Sequence, residues 1–121
     1  MSKKALVLDD MEITRITVST FLAVCGFEVD SVGNGLEGLR ALLENRYDLI
    51  FSDIEMPIMG GLEFLKRIKK DPKLRNIPVV MLTSINNDDT VHKAQILGAS
   101  SYITKPYNRD KMKLALKTAG F

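Results

Sequence analysis

Five residues of this chain could do chemistry together: Asp9, Asp10, Asp53, Thr83 and Lys105. They supply three carboxylates, a hydroxyl and an ammonium. Carboxylates held close repel one another. A hard divalent cation such as Mg²⁺ removes that repulsion, because it takes oxygen ligands, uses one or two carboxylates and adds a phosphate oxygen. A threonine hydroxyl can hydrogen-bond an anion. A lysine's flexible four-carbon stem can carry an ammonium some way back from its backbone. Carboxylate, cation, hydroxyl and ammonium around one point would support a phosphoryl group on Asp53, with positive charge neutralising its oxygens.

Each of these residues falls where an apolar run stops. Lys4 to Leu8 is an apolar strand ending at Asp9-Asp10. Asp48 to Ser52 is a second such run, which ends at Asp53 and opens into Met56-Pro57 and Gly60-Gly61. Val79 to Leu82 follows Pro78 and closes at Thr83-Ser84, and Ser101 to Ile103 leads to the turn Lys105-Pro106. Phe27 to Val32 is a strand without such a residue. Between the strands the spacing becomes helical. Val18, Phe21, Leu22 and Cys25 form one face between Glu12 and Gly26. Leu36 to Asn45 is the second helix, and Leu62, Leu65 and Ile68 carry the third up to Asp71-Pro72. Val91, Ala94 and Leu97 carry the fourth, from the cap cluster Asn86-Asn87-Asp88-Asp89 to Gly98. Met112, Ala115, Leu116 and Ala119 carry the fifth, capped at Asn108. Gly38 within the second helix costs about 1 kcal/mol against alanine, which predicts a close packing contact there or a soft helix. Alternating strands and helices predict an α/β fold: a five-stranded parallel sheet, covered on both faces, with right-handed crossovers. The polar strand ends are all carboxyl ends, the edge where open α/β sheets bind ligands.

The 121 residues suit one domain, 1–121, with one core. No apolar window approaches the ~18 residues of a membrane span, and the first strand is too short for a signal-peptide core. The single cysteine rules out an internal disulfide and suits a reducing cytoplasm. A net charge of +2 makes no case for nucleic acid. Charge is uneven, however. Acids gather at Asp9, Asp10, Glu12, Asp53 and Glu55, whereas Lys105, Arg109, Lys111, Lys113 and Lys117 make the C-terminal end basic.

Asp9-Asp10, Asp53-x-x-Met56-Pro57-x-Met59-x-Gly61, Thr83-Ser84 and Gly98-Ala99-x-x-Tyr102-Ile103-x-Lys105-Pro106 occur in order at these strand ends. In this the chain resembles a response-regulator receiver domain of two-component signalling, and is similar to the single-domain chemotaxis regulators. The likeness covers essentially the whole chain. It implies a doubly wound, flavodoxin-like (βα)5 fold with strand order 2-1-3-4-5. It implies that Asp53 is a phosphoacceptor supplied by a histidine kinase. Asp10, Asp53 and the backbone carbonyl of Glu55 would bind Mg²⁺ directly, with Asp9 acting through water. Thr83 would bind a phosphoryl oxygen and move toward it, Tyr102 would swing inward behind it, and Lys105 would contact the phosphoryl group. The bond Lys105–Pro106 would be cis. The switched face would be the fourth helix, fifth strand and fifth helix, where a downstream protein docks. Such a domain is a monomeric signalling protein, acting on its own phosphorylation and dephosphorylation and not as a turnover enzyme. With no room after Phe121 for a DNA-binding domain, its output is expected through that partner and not through nucleic acid or membrane. Two positions depart from the chemotaxis pattern: Glu55 replaces the usual asparagine, and Ile85 an acid. These positions tune self-dephosphorylation in the family, so signal lifetime is open. Glu55 would ligate Mg²⁺ through water or, without metal, pair with Lys105.

Other residues have plainer readings. His92 reads as a surface residue, Cys25 as core, Met56 and Met59 as loop packing, and Tyr102 by itself as a half-buried strand residue. The first helix also carries a second apolar stripe, Ile13, Ile16 and Thr20, beside Asp10, which suits docking of kinase helices. Three other functions compete. A phosphohydrolase of the haloacid-dehalogenase type would need Asp-x-Asp after the first strand and a substrate cap. A flavin module would need a Ser/Thr/Gly phosphate loop where Asp9, Asp10 and Glu12 stand. A degenerate receiver acting only in docking would lack the acid, threonine and lysine set present here.

Overall fold

The computed structural model describes residues 3–83 and 88–121. Five strands, β1 (Lys3–Leu8), β2 (Phe27–Val32), β3 (Leu49–Asp53), β4 (Val79–Thr83) and β5 (Ser101–Thr104), alternate with five helices. The helices are α1 (Glu12–Val24), α2 (Gly35–Glu44), α3 (Gly61–Lys70), α4 (Asp88–Leu97) and α5 (Arg109–Thr118). All strand pairs are parallel and the order is β2-β1-β3-β4-β5, as the resemblance implied.

Alternation along each strand explains the two-sided sheet. Ala5, Val7, Leu49, Phe51, Val80, Leu82 and Ile103 face one core, shared with Val18 and Leu22 of α1 and Met112, Ala115 and Leu116 of α5. Leu6, Leu8, Ile50, Val79 and Met81 face a second, shared with Leu42 of α2, Phe64, Leu65 and Ile68 of α3, and Ala94 of α4. Central strands buried on both faces need near-continuous apolar runs, which is what their sequences supply. The expected cap forms at Asn108, which accepts from Lys111 N at 2.9 Å, and Asn34, in a loop by sequence, caps α2 by accepting from Glu37 N at 3.0 Å. His92 is exposed, and Met56 and Met59 pack against the second core, as expected. Ser84, Ile85 and the Asn86-Asn87 part of the cap cluster lie outside the described residues.

One core assignment fails. Cys25 is exposed. The helix ends at Val24 and Cys25 is its cap, so the apolar spacing continues past the turn that packs. The stripe that buries is Thr14, Val18 and Leu22.

Two glycines hold the frame around the site. A Cβ on Gly38 would lie 2.5 Å from Leu8 Cδ2 and 2.9 Å from Phe64 Cε1, so α2 presses its backbone onto β1 and α3. This is the close contact its sequence position predicted. A Cβ on Gly61 would collide with the carbonyl oxygen of Asp53, and Gly61 N donates to Ile54 O at 2.8 Å. The start of α3 is thereby seated against the backbone that carries Asp53.

Candidate functional site

Leu8 pairs with Ser52, so the residues that follow, Asp9 and Asp53, emerge side by side from adjacent strands. Carboxylate oxygens of Asp9, Asp10 and Asp53 lie within 4.8 Å of one another. They open onto a cavity of about 620 Å³, whose walls include Met11, Glu55, Pro57, Lys105 and Tyr107. Asp9 is 2% exposed, and its Oδ1 accepts from Met11 N at 2.8 Å. Burial raises its pKa although this hydrogen bond pulls the other way. Asp53 Oδ1 accepts from Ile54 N at 2.8 Å. Burial, and then the charge of Asp9, push Asp53 up to about 7. Asp10 is exposed at the mouth.

A cluster of acids this close, one of them raised toward neutrality, lacks positive charge at its centre. The donors are all hard carboxylate oxygens, and the cluster fits a divalent metal ion of the Mg²⁺ or Mn²⁺ kind. Lys105 lines the same cavity, and its peptide bond to Pro106 is cis, as expected. Its charge acts on Asp9, opposing the effect of burial. No ion pair joins Glu55 to Lys105 among the described residues, so the expected pairing does not form. Both side chains are exposed, where solvation competes well with such a pair.

Thr83 is buried at the end of β4, opposite Thr104, and does not line the cavity. Tyr102, opposite Met81, is 42% exposed, further out than the half-buried position expected. It continues the side of β5 opposite to Ile103, and its edge of the sheet is covered by shallow clefts toward α4 and α5. Ile13 and Ile16 are 76% and 57% exposed on α1, and Thr20 is also exposed, so the second stripe is unpartnered in this chain.

Tyr107 was not singled out from the sequence. It packs against the first core and reaches the acid cavity, where burial and then the charges of Asp53 and Asp9 raise its phenol. The one signal for it was position, two residues past Lys105 on a turn that returns to the sheet edge. Ile58 was also missed. Its φ is 68°, and Met59 N donates to Pro57 O at 2.7 Å, which makes a strained three-residue turn at the rim beside Asp53.

Comparison with known proteins agrees with this geometry. The family description "Response regulator receiver domain" matches residues 5–117. The chain is 32% identical to the probable chemotaxis protein CheY of Rhizobium etli over 115 residues, 94% of this chain and 89% of that protein. Among solved structures, chemotaxis response regulator CheY4 of Vibrio cholerae superposes with a TM-score of 0.90 at 30% identity, covering 98% of this chain and 99% of that one. The Mn²⁺-bound form of response regulator Rcp1 matches with a TM-score of 0.80 at 29% identity, over 98% and 90%. The chain spans about half the length of the transcriptional regulators it also matches, 54% and 49%. Fold, acid cluster and relatives coincide: the chain belongs to the response-regulator receiver domain family of two-component signalling.

Proposed function

We propose that Asp53 is the phosphoacceptor of a two-component relay and that a histidine kinase supplies its phosphoryl group. The observation that carries this reading is the convergence of three carboxylates and Lys105 on one cavity at the carboxyl edge of the sheet. A carboxylate oxygen of Asp53 attacks phosphorus, an O–P bond forms, and the P–N bond of the phosphohistidine breaks as imidazole leaves. Mg²⁺ held by Asp10, Asp53 and the Glu55 carbonyl, with Asp9 acting through water, would supply positive charge to the phosphoryl oxygens and keep Asp53 ionised. The Thr83 hydroxyl donates to one phosphoryl oxygen and the Lys105 ammonium contacts another. Tyr102 turns inward as Thr83 moves, and this shifts a two-state equilibrium of the α4-β5-α5 face on which a downstream protein docks. The chain is read as one cytoplasmic, monomeric domain over 1–121, which processes only its own phosphoryl group. The likeness to CheY makes chemotaxis the favoured setting.

The decisive experiment is labelling by a small phosphodonor. Wild type should be labelled only with Mg²⁺, and Asp53→Asn should not be labelled. No labelling of wild type would overturn the assignment. Glu55, an exposed acid on the cavity wall, is the residue proposed to set signal lifetime. Glu55→Asn should change the rate of phosphate release, and an unchanged rate would remove it from that role.

A further inference from the structure

We propose that Arg15 is a positioning residue for the metal site: its guanidinium fixes the peptide between Asp9 and Asp10 and thereby sets the affinity for the divalent cation. This rests on the reading of Asp9, Asp10 and Asp53 as that site. At Asp9 the first strand gives way to a loop. Its N–H still donates to Val32 O of β2, at 3.1 Å. Its carbonyl accepts instead from Arg15 Nη1, at 2.7 Å, and its carboxylate from Met11 N, at 2.8 Å. Asp9 is therefore held at its amide, its carbonyl and its side chain by three different segments.

The carbonyl contact has the wider reach. The carbonyl of Asp9 and the N–H of Asp10 belong to one planar peptide. A bond that fixes this plane also fixes the direction in which Asp10 leaves. Asp10 is exposed and has no hydrogen bond of its own among the described residues, so this plane is its main constraint. The guanidinium is well placed to act as a prop. Arg15 sits in the first turns of α1, and its N–H donates to Met11 O at 3.1 Å, tying the helix back to the same loop. A Cβ on Gly33 would lie 3.8 Å from Arg15 Nη1, so the loop after β2 closes over the side chain. A guanidinium has no acceptor and stays charged, so Arg15 cannot itself be a ligand.

Two effects oppose each other. Removing the charge would favour a cation, and removing the prop would disfavour it. The charge effect is weakened by solvent and salt, with a screening length of about 8 Å at physiological ionic strength. Residues that orient metal ligands are typically worth 10–100-fold in metal affinity. Orientation should therefore win.

The test is Mg²⁺ affinity by calorimetry on the whole chain at about 0.15 M salt, the ionic strength at which that screening applies. Arg15→Met should weaken binding by about tenfold or more. Arg15→Lys keeps a charge and N–H donors and should lose less. Equal or tighter binding by Arg15→Met would overturn the proposal. If Arg15→Met does not fold by circular dichroism, Arg15→Lys decides: weaker binding supports the prop, and unchanged binding overturns it. Wild type that binds no Mg²⁺ would instead overturn the metal-site reading on which the proposal stands.

Discussion

Asp53 is held between two demands. To act as the proposed phosphoacceptor it must be ionised, yet burial and the neighbouring Asp9 hold its pKa at about 7. The sign of the stability effect follows. A carboxyl group whose pKa is higher in the folded state than in the unfolded one stabilises the fold most when protonated. That contribution is present below the unfolded value of 3.8 and is lost as pH rises through about 7. Thermal unfolding without metal should therefore show a midpoint that falls across this window. Asp53→Asn should flatten the fall and unfold at a higher temperature than wild type at pH 8. Mg²⁺ should raise the wild-type midpoint more at pH 8 than at pH 5. Identical pH profiles for wild type and variant would contradict the assignment of strain to this carboxylate. Ile58 is a second strained residue. A β-branched side chain at φ 68° costs about 1–2 kcal/mol, part of which a glycine's backbone entropy would take back. Ile58→Gly should raise stability by about 0.5–1 kcal/mol in urea denaturation, while lower stability would show that the turn is not strained.

At the scale of elements, the packing of α2 is the informative case. Gly38 is where its backbone meets Leu8 and Phe64. Overpacking a core costs about 1–3 kcal/mol, and alanine returns about 1 kcal/mol of helix propensity. Gly38→Ala should then be destabilising by about 1 kcal/mol, and Gly38→Val by more, measured as a shift in denaturation midpoint. A stabilised alanine variant would mean that Leu8 and Phe64 yield freely. The position of this contact was legible in the sequence, because a glycine inside an amphipathic helix is an anomaly that asks for a reason. Its partners were not, since they come from β1 and α3. Most element boundaries were legible to within a residue or two for a similar reason: periodicity, Gly26 and Gly98 after helices, and asparagine caps are local signals. Cys25 shows where that logic fails. Spacing continues through a helix end, but burial does not, because the chain past Val24 no longer lies on the sheet.

At the scale of the whole molecule, exposed apolar groups lie on α1 and the β3–α3 loop, the segments that follow Asp10 and Asp53 in the chain. Ile13 is 76%, Ile16 57% and Ile58 79% exposed. Such groups suit contact with a protein that would supply the phosphoryl group to the proposed acceptor Asp53. Ile16→Glu should slow phosphoryl transfer from a histidine kinase severalfold and leave labelling by a small phosphodonor unchanged. Equal loss with both donors would place the defect in the site and not in docking.

The sequence by itself determined the strand and helix pattern, the carboxyl-edge placement of Asp9, Asp10, Asp53, Thr83 and Lys105, and the family likeness. These are all carried by residue type and local order. Only the tertiary structure decided that Asp9 is the buried acid and Asp10 the exposed one, and that Thr83 stands off the cavity wall. It also brought Tyr107 and Arg15 to the site. Adjacent residues share a sequence position but not an environment. Burial, register and the reach of a side chain across strands are fixed only when the sheet and its helices close around them.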